Sequence, residues 1–306
     1  MFDQPLNTPA AGSKVIAFLN NKGGPGKTSL TLGIADTLAR EGYRVLLVDL
    51  DTQGNATTQL TQSPAEVAPT TIIDLLELGS VTPAIIKKTF LSTVIKTGRG
   101  IDLLASNHYI EKRLVMLTQS SRDYHHRLLD CFNVINSDYD YILIDCPPSF
   151  MGVAVPSAVT AADLVVVPIE SGDAFSIDGF ERVLTHITDE ARQGRMRIGL
   201  PAPKIVGIVN KHNGRLALCK STLLRLQEWK DNNFIYDSDG VPIPFDILFP
   251  TVPRSSAFQK AIDERISVFK IKATTSVRKV FTALSESLRE RLDTASLPAD
   301  GAHHEQ

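Results

Sequence analysis

The chain has 306 residues, is 43% hydrophobic and 22% charged, and carries a net charge of −2, the composition of a globular protein long enough for one large α/β domain or two small ones. No run approaches the roughly 20 apolar residues of a membrane span, and Cys131, Cys146 and Cys219 are too scattered for a disulfide framework or a Cys-x-x-Cys metal site. They are expected to be buried thiols in a reducing compartment. Residues 1–13 lack the basic end and apolar middle of a signal peptide, so the expectation is a cytoplasmic protein with a disordered N-terminal tail.

The first element is a strand, Val15 to Leu19, followed by Asn20-Asn21-Lys22-Gly23-Gly24-Pro25-Gly26-Lys27-Thr28-Ser29 and then a helix from Leu30 to Arg40. A strand that ends in a glycine-rich loop and opens into a helix converges backbone N–H groups with the positive end of the helix dipole, which suits a phosphate. The usual phosphate-loop spacing fails at its first glycine, where Asn21 stands, and a second lysine, Lys22, follows. Pro25 removes one N–H from the loop, which bears on nucleotide affinity.

The segment Lys-Gly-Gly-x-Gly-Lys-Thr resembles the deviant Walker A loop of the ParA and MinD family of partitioning and positioning ATPases. The resemblance implies that Lys22, Gly23, Gly24, Gly26, Lys27, Thr28 and Ser29 bind ATP. Lys27 would hold the β- and γ-phosphates, Thr28 would ligate magnesium, and Lys22 would reach the nucleotide of a partner subunit.

Tyr43 to Asp49 reads as a second buried strand, continuous in apolar residues as parallel strands are. It runs into Leu50-Asp51-Thr52-Gln53-Gly54-Asn55, two acids and a turn at the carboxyl end of a strand, where open α/β sheets bind ligands. An Asp-capped strand end would read the same way. The stretch is similar to the family's Asp-x-Asp-Pro-Gln-Gly-Asn, with Thr52 in place of proline. That similarity implies that Asp51 positions the attacking water and Asp49 supports the magnesium shell, and it makes Lys22, Lys27 and Asp51 the catalytic set.

Residues 56–125 are less legible. Thr70 to Leu78 suggests a helix, Ile101 to Ala105 a short strand, and Tyr109 to Leu117 another helix. His108, His125 and His126 lack a third ligand at metal-site spacing, and no metal is assigned to them.

Tyr141 to Asp145, followed by Cys146-Pro147-Pro148-Ser149, is a buried strand ending in an acid, the Walker B arrangement, with Asp145 at the magnesium. The two prolines forbid continuation as helix or central strand, leaving a stiff loop able to register the γ-phosphate. The family carries the same Asp-x-Pro-Pro-Ser. Further on come a strand from Asp163 to Ile169, a helix from Ser176 to Thr188, and a strand from Ile205 to Val209 that delivers Asn210. The asparagine amide can offer a donor and an acceptor to a purine edge, or can simply close a β–α turn. A strand-like run from Val241 to Leu248 leads to Pro253-Arg254, which resembles the family's loop over the base. Ser276 to Leu292 places Val277, Val280, Phe281, Leu284, Leu288 and Leu292 on one helical face, a stripe that packing against a sheet explains.

Strands ending near residues 20, 49, 145, 169 and 209 with helices between them require right-handed crossovers and a mainly parallel sheet covered on both faces. The expected fold is therefore α/β, a single doubly wound P-loop domain over residues 14–292, with a second disordered tail over 293–306. Charge is unevenly spread along it. Residues 195–291 hold 17 Lys/Arg against 9 Asp/Glu in a chain that is slightly acidic overall, as a directed footprint on a polyanion would be.

The resemblance, which covers about Lys14 to Leu292, implies an ATPase that dimerises on binding ATP and magnesium and binds double-stranded DNA without reading sequence. A ParB-like or other cargo adaptor would stimulate hydrolysis and release it, driving plasmid or chromosome partition. The expected DNA contacts are Arg215, Lys220, Arg254, Lys260, Arg278 and Lys279, and the ATP-bound protein would associate with the nucleoid. A MinD-like membrane-cycling or other cargo-positioning ATPase is the alternative, although the polar residues 298–306 do not form the basic amphipathic helix that membrane recruitment would use. A biosynthetic relative of the same fold with a small-molecule substrate is a third possibility.

Overall fold

The computed structural model describes residues 12–63, 70–79, 81–120, 124–150, 152–173, 176–232, 235–237, 239–271 and 275–294. The expected tails lie outside the described residues except at their inner ends.

Eight strands form one sheet: β1 (Lys14–Phe18), β2 (Val45–Asp49), β3 (Ile95–Lys96), β4 (Ile101–Leu104), β5 (Tyr141–Asp145), β6 (Leu164–Glu170), β7 (Lys204–Asn210) and β8 (Asp246–Leu248). Their spatial order is β3-β4-β2-β5-β1-β6-β7-β8. All pairs are parallel except β3 with β4, so the expected mainly parallel sheet is present with one antiparallel edge that the sequence pattern does not reveal. β1 sits between β5 and β6, so the carboxyl ends of β1, β2, β5, β6 and β7 share one edge of the sheet.

Eleven helices among the described residues cover the sheet: α1 (Lys27–Arg40), α2 (Asn55–Thr61), α3 (Ile73–Leu76), α4 (Pro83–Thr93), α5 (Ile110–Ser120), α6 (Arg127–Ile135), α7 (Ala154–Ala161), α8 (Ser176–Gln193), α9 (Ala217–Asn232), α10 (Ser256–Asp263) and α11 (Thr275–Asp293). Alternate residues of each strand feed opposite cores. Val15, Ala17, Val48 and Ile144 join the core that α3 to α8 cover. Ile16, Phe18, Leu47 and Leu143 join the core that α1, α10 and α11 cover. The α11 stripe packs as expected, with Val277, Phe281, Leu284, Leu288 and Leu292 buried and Val280 partly so. It lies so close to α1 that a Cβ on Gly33 would come within 2.2 Å of Phe281.

Two expected elements are shorter than the pattern suggests. The helix over 70–78 is the single turn Ile73–Leu76: the Asp74 carboxylate accepts from the Thr71 N–H at 2.8 Å, and Gly79, at φ +66°, turns the chain away. The run from Val241 joins the sheet only over Asp246–Leu248; before that it makes an isolated antiparallel bridge, Pro242 with Tyr236, and Pro242 and Pro244 have no N–H to extend it into a ladder. Cys131, Cys146 and Cys219 are all buried free thiols.

Candidate functional site

The loop from Asn20 to Gly26 connects β1 to α1 at the shared carboxyl edge of the sheet. Gly24 and Gly26 have φ of +97° and +93°, and a Cβ on Gly26 would come within 2.2 Å of Asn210 Nδ2. Glycine is therefore required at Gly26 by conformation and by space. Lys27 is buried, and its Nζ donates to the Lys22 carbonyl at 2.9 Å, curling over its own loop. Burial pulls its pKa below the usual lysine range, opposed by the carboxylates of Asp145 and Asp51. Lys22 points the other way, with Nζ 2.8 Å from the Asp173 carboxylate just past β6.

Three acids meet this loop. Asp49 and Asp145 are register partners at the ends of β2 and β5, and both are fully buried. Asp49 Oδ2 accepts from the Thr57 N–H at 2.8 Å and the Thr57 hydroxyl at 2.7 Å, and its Oδ1 accepts from the Asp51 N–H at 3.2 Å. Burial pushes the Asp49 carboxyl up to about 7 against the pull of the Thr57 hydrogen bonds. Asp145 is also held well above the usual carboxylate range, by burial first and then by the Asp49 charge, while the Thr28 hydroxyl favours its ionised form. Burial also raises Asp51, which accepts from the Gln53 N–H at 3.0 Å.

Asp145 Oδ2 is buried without a hydrogen-bond partner. An uncompensated buried oxygen beside a hydroxyl and two further acids fits a hard divalent cation such as magnesium. Asp145 and Thr28 would be the direct ligands of such a cation, with Asp49, whose oxygens accept from Thr57 and Asp51, beside them. No group of three or more His, Cys, Asp or Glu among the described residues is placed to cage a metal.

A cavity of about 500 Å³ opens on the other side of the loop, lined by Gly26, Ser29, Asn210, Pro253, Phe258 and Ile262 among others, a size suited to a small ligand. Asn210 is placed there as expected, but its amide is already engaged. Nδ2 donates to the Pro25 carbonyl at 2.6 Å and Oδ1 accepts from the Lys211 N–H at 2.8 Å. One N–H and one lone pair remain for a ligand. Pro25 thus offers no N–H from the loop, while its carbonyl ties the loop to β7.

The structure brings together Lys22, Gly23, Gly24, Gly26, Lys27, Thr28, Ser29, Asp49, Asp51, Asp145, Asn210 and Pro253 along one edge. Thr57, Asp173, Phe258 and Ile262 escape the sequence reading. Asp173 alone leaves a signal, an acid just beyond a strand end like the other site acids; the rest sit on helices whose facing partners lie far away in sequence.

The basic surface is narrower than its sequence count. Arg195 is buried against Asp163, Lys211 pairs with Glu170, Lys230 and Arg291 both pair with Asp246, and Arg289 pairs with Glu41. Of the expected DNA contacts, Arg278 donates to the Phe269 carbonyl and Lys260 pairs with Glu264 at 3.7 Å. Arg215, Lys220, Arg254 and Lys279 are exposed, with no side-chain ion pair among the described residues.

Residues 13–198 match the AAA domain family. Over 199 residues the chain is 34% identical to the chromosome partitioning protein ParA of Caulobacter vibrioides, covering 64% of this chain and 68% of ParA. Cobyrinic acid a,c-diamide synthase of Mycobacterium smegmatis, solved with a bound ATP analogue and magnesium, superposes with a TM-score of 0.67 at 26% identity, covering 91% of this chain and 97% of the synthase. The apo structure of McdA from Cyanothece superposes at 0.71 with 19% identity, covering 90% and 99%, a likeness of fold alone. The chain belongs to the ParA/MinD superfamily of P-loop ATPases.

Proposed function

We propose that the chain is an ATP-driven dimerisation switch of the partitioning type, and that it hydrolyses ATP with magnesium. The observation that carries this reading is the divergence of its two loop lysines. Lys27 curls back over its own loop, positioned to hold the β- and γ-phosphates, while Lys22 turns out toward Asp173, positioned to reach across to a second subunit's nucleotide. Asp145 and Thr28 would hold magnesium, which would supply neutralisation of phosphate charge. Asp51, at the end of the β2 loop, orients the attacking water. Largely dissociative phosphoryl transfer asks for little beyond such positioning and charge stabilisation.

In this reading the ATP-bound dimer grips DNA backbone through Arg215, Lys220, Arg254 and Lys279, and an adaptor protein accelerates hydrolysis to release it. Domain limits of 14–292, flanked by tails, belong to the same proposal. The expected result is binding to nonspecific double-stranded DNA with ATP and not with ADP, with log affinity falling against log salt by about 0.9 for each phosphate neutralised. ATP-dependent binding indifferent to salt would exclude this electrostatic grip.

The likeness to a cobyrinic acid a,c-diamide synthase favours a second reading, ATP-dependent chemistry on a small molecule. It predicts steady turnover dependent on that substrate and independent of DNA or adaptor. The stronger identity to ParA supports the partitioning reading over this one.

A further inference from the structure

Three non-glycine residues have left-handed backbone among the described residues: Gln62, Lys211 and Arg265, at φ of +59°, +53° and +49°. Such conformations are held only where the surroundings over-determine them, and they cluster at functional sites. Two of the three belong to one contact. Gln62 closes the carboxyl end of α2, and Arg265 closes that of α10, where the Arg265 N–H donates to the Ile262 carbonyl and the Ile266 N–H to the Ala261 carbonyl.

The two helix ends cap each other. The last carbonyls of a helix carry the negative end of its dipole and take donors beyond the helix's own ladder, as the Ile262 carbonyl, already bonded by the Arg265 N–H, does here. The Gln59 side chain of α2 donates from Nε2 to the Ile262 carbonyl of α10 at 2.9 Å. In return Arg265 donates to the Gln62 carbonyl of α2 at 3.1 Å. Gln59 is only 6% exposed, so it cannot exchange this acceptor for bulk water.

The position of the contact gives it a task. α10 carries Phe258 and Ile262, which wall the 500 Å³ cavity. α2 is pinned at its other end, where Thr57 holds Asp49 and its hydroxyl oxygen accepts from the Ser106 N–H at 2.9 Å. A second tie runs beneath, where the buried Asp36 of α1 accepts from the Ser267 hydroxyl at 2.6 Å and pairs with Arg99. The wall of the cavity is thus braced against the helix that supports the acids.

We propose that Gln59 and Arg265 are positioning residues for the nucleotide, setting α10 against the base through α2. The inference rests on the nucleotide reading of the site. Its consequence is selective: loosening α10 weakens contacts to the base and leaves the phosphate loop intact.

The test compares the affinities of the full chain for ATP and for inorganic tripolyphosphate, which has no base, in Gln59→Leu and Arg265→Met. ATP affinity is expected to fall about fivefold, within the range of coupling through a braced element, with tripolyphosphate affinity and kcat at saturating ATP unchanged. Arg265→Lys should restore most of the loss. Adding Phe258→Ala to Gln59→Leu should cost little more, because both act through the same wall. Equal losses for both ligands, or no loss of ATP affinity, would overturn the inference. If Gln59→Leu does not fold, the more exposed Arg265→Met decides. Failure of the native chain to bind ATP would sink the nucleotide reading and this inference together, whereas native binding with unaltered variants would sink the inference alone.

Discussion

The two ends of the candidate site are built on different principles. At the phosphate end, Lys27, Asp49 and Asp145 are buried, and the acids stand on adjacent central strands in fixed register. At the end proposed for the base, the wall is an eight-residue helix, α10, in which only Ala261 is buried, held by a hydrogen bond from α2 and a buried polar tie. Charge has to be met by groups that cannot relax, since preorganised dipoles and carboxylates act most strongly in a dry site. A base needs mainly a surface of the right shape, which a braced surface helix can provide and can also move.

The difference can be pressed hardest at Lys27. Lys27→Ala leaves buried Asp145 and Asp51 without their nearest cation, and truncating one member of a buried charge cluster is costly. ATP and tripolyphosphate should both lose affinity by about 100-fold or more, measured by calorimetry. If tripolyphosphate still bound while ATP did not, the phosphate end would not be where Lys27 places it.

Asp51→Ala should separate binding from chemistry. Nucleotide and magnesium should still bind and the ATP-bound dimer should accumulate, while kcat falls by about 100-fold or more. A variant that turned over at the native rate would remove Asp51 from the water-orienting role.

Asn210→Ala is the smallest of the three and tests whether the ends are separate at all. Asn210 ties the Pro25 carbonyl to β7 and also lines the base cavity. Its loss should weaken ATP and tripolyphosphate together, by about tenfold for one buried acceptor left unpaired. That contrasts with Gln59→Leu, which should spare tripolyphosphate. Loss of ATP affinity alone would reassign Asn210 to the base end only.

Legibility in the sequence follows the same division. The phosphate loop, Asp49-Leu50-Asp51 and Asp145-Cys146-Pro147-Pro148 are contiguous, because a parallel strand delivers its next residues straight to the ligand edge. The α11 stripe was legible for a similar reason, since a helix repeats its buried face at a fixed spacing. Thr57, Phe258 and the Gln59–Ile262 contact were not. Each depends on which helix ends meet after the chain has crossed the sheet, and that is a matter of crossover and packing rather than local pattern. The base count over 195–291 misled in the same way. Arg195, Lys230, Arg289 and Arg291 look available in one dimension and are spent on Asp163, Asp246 and Glu41 in three.

The sequence by itself determined the parallel strands of the sheet, the edge where their loops gather and the residue types waiting there, because strand and loop signals are local and hydrophobic periodicity is short-ranged. Only the tertiary structure decided the rest. It turned Lys22 away from Lys27 and committed both oxygens of Asp49 while leaving one of Asp145 open. It engaged the Asn210 amide with its own loop, and it set the ends of α2 and α10 face to face. The physical reason is that hydrogen-bond partners and buried charge are shared among segments about 200 or more residues apart, as Gln59 and Ile262 and Asp36 and Ser267 are, and no local pattern records which of them will meet.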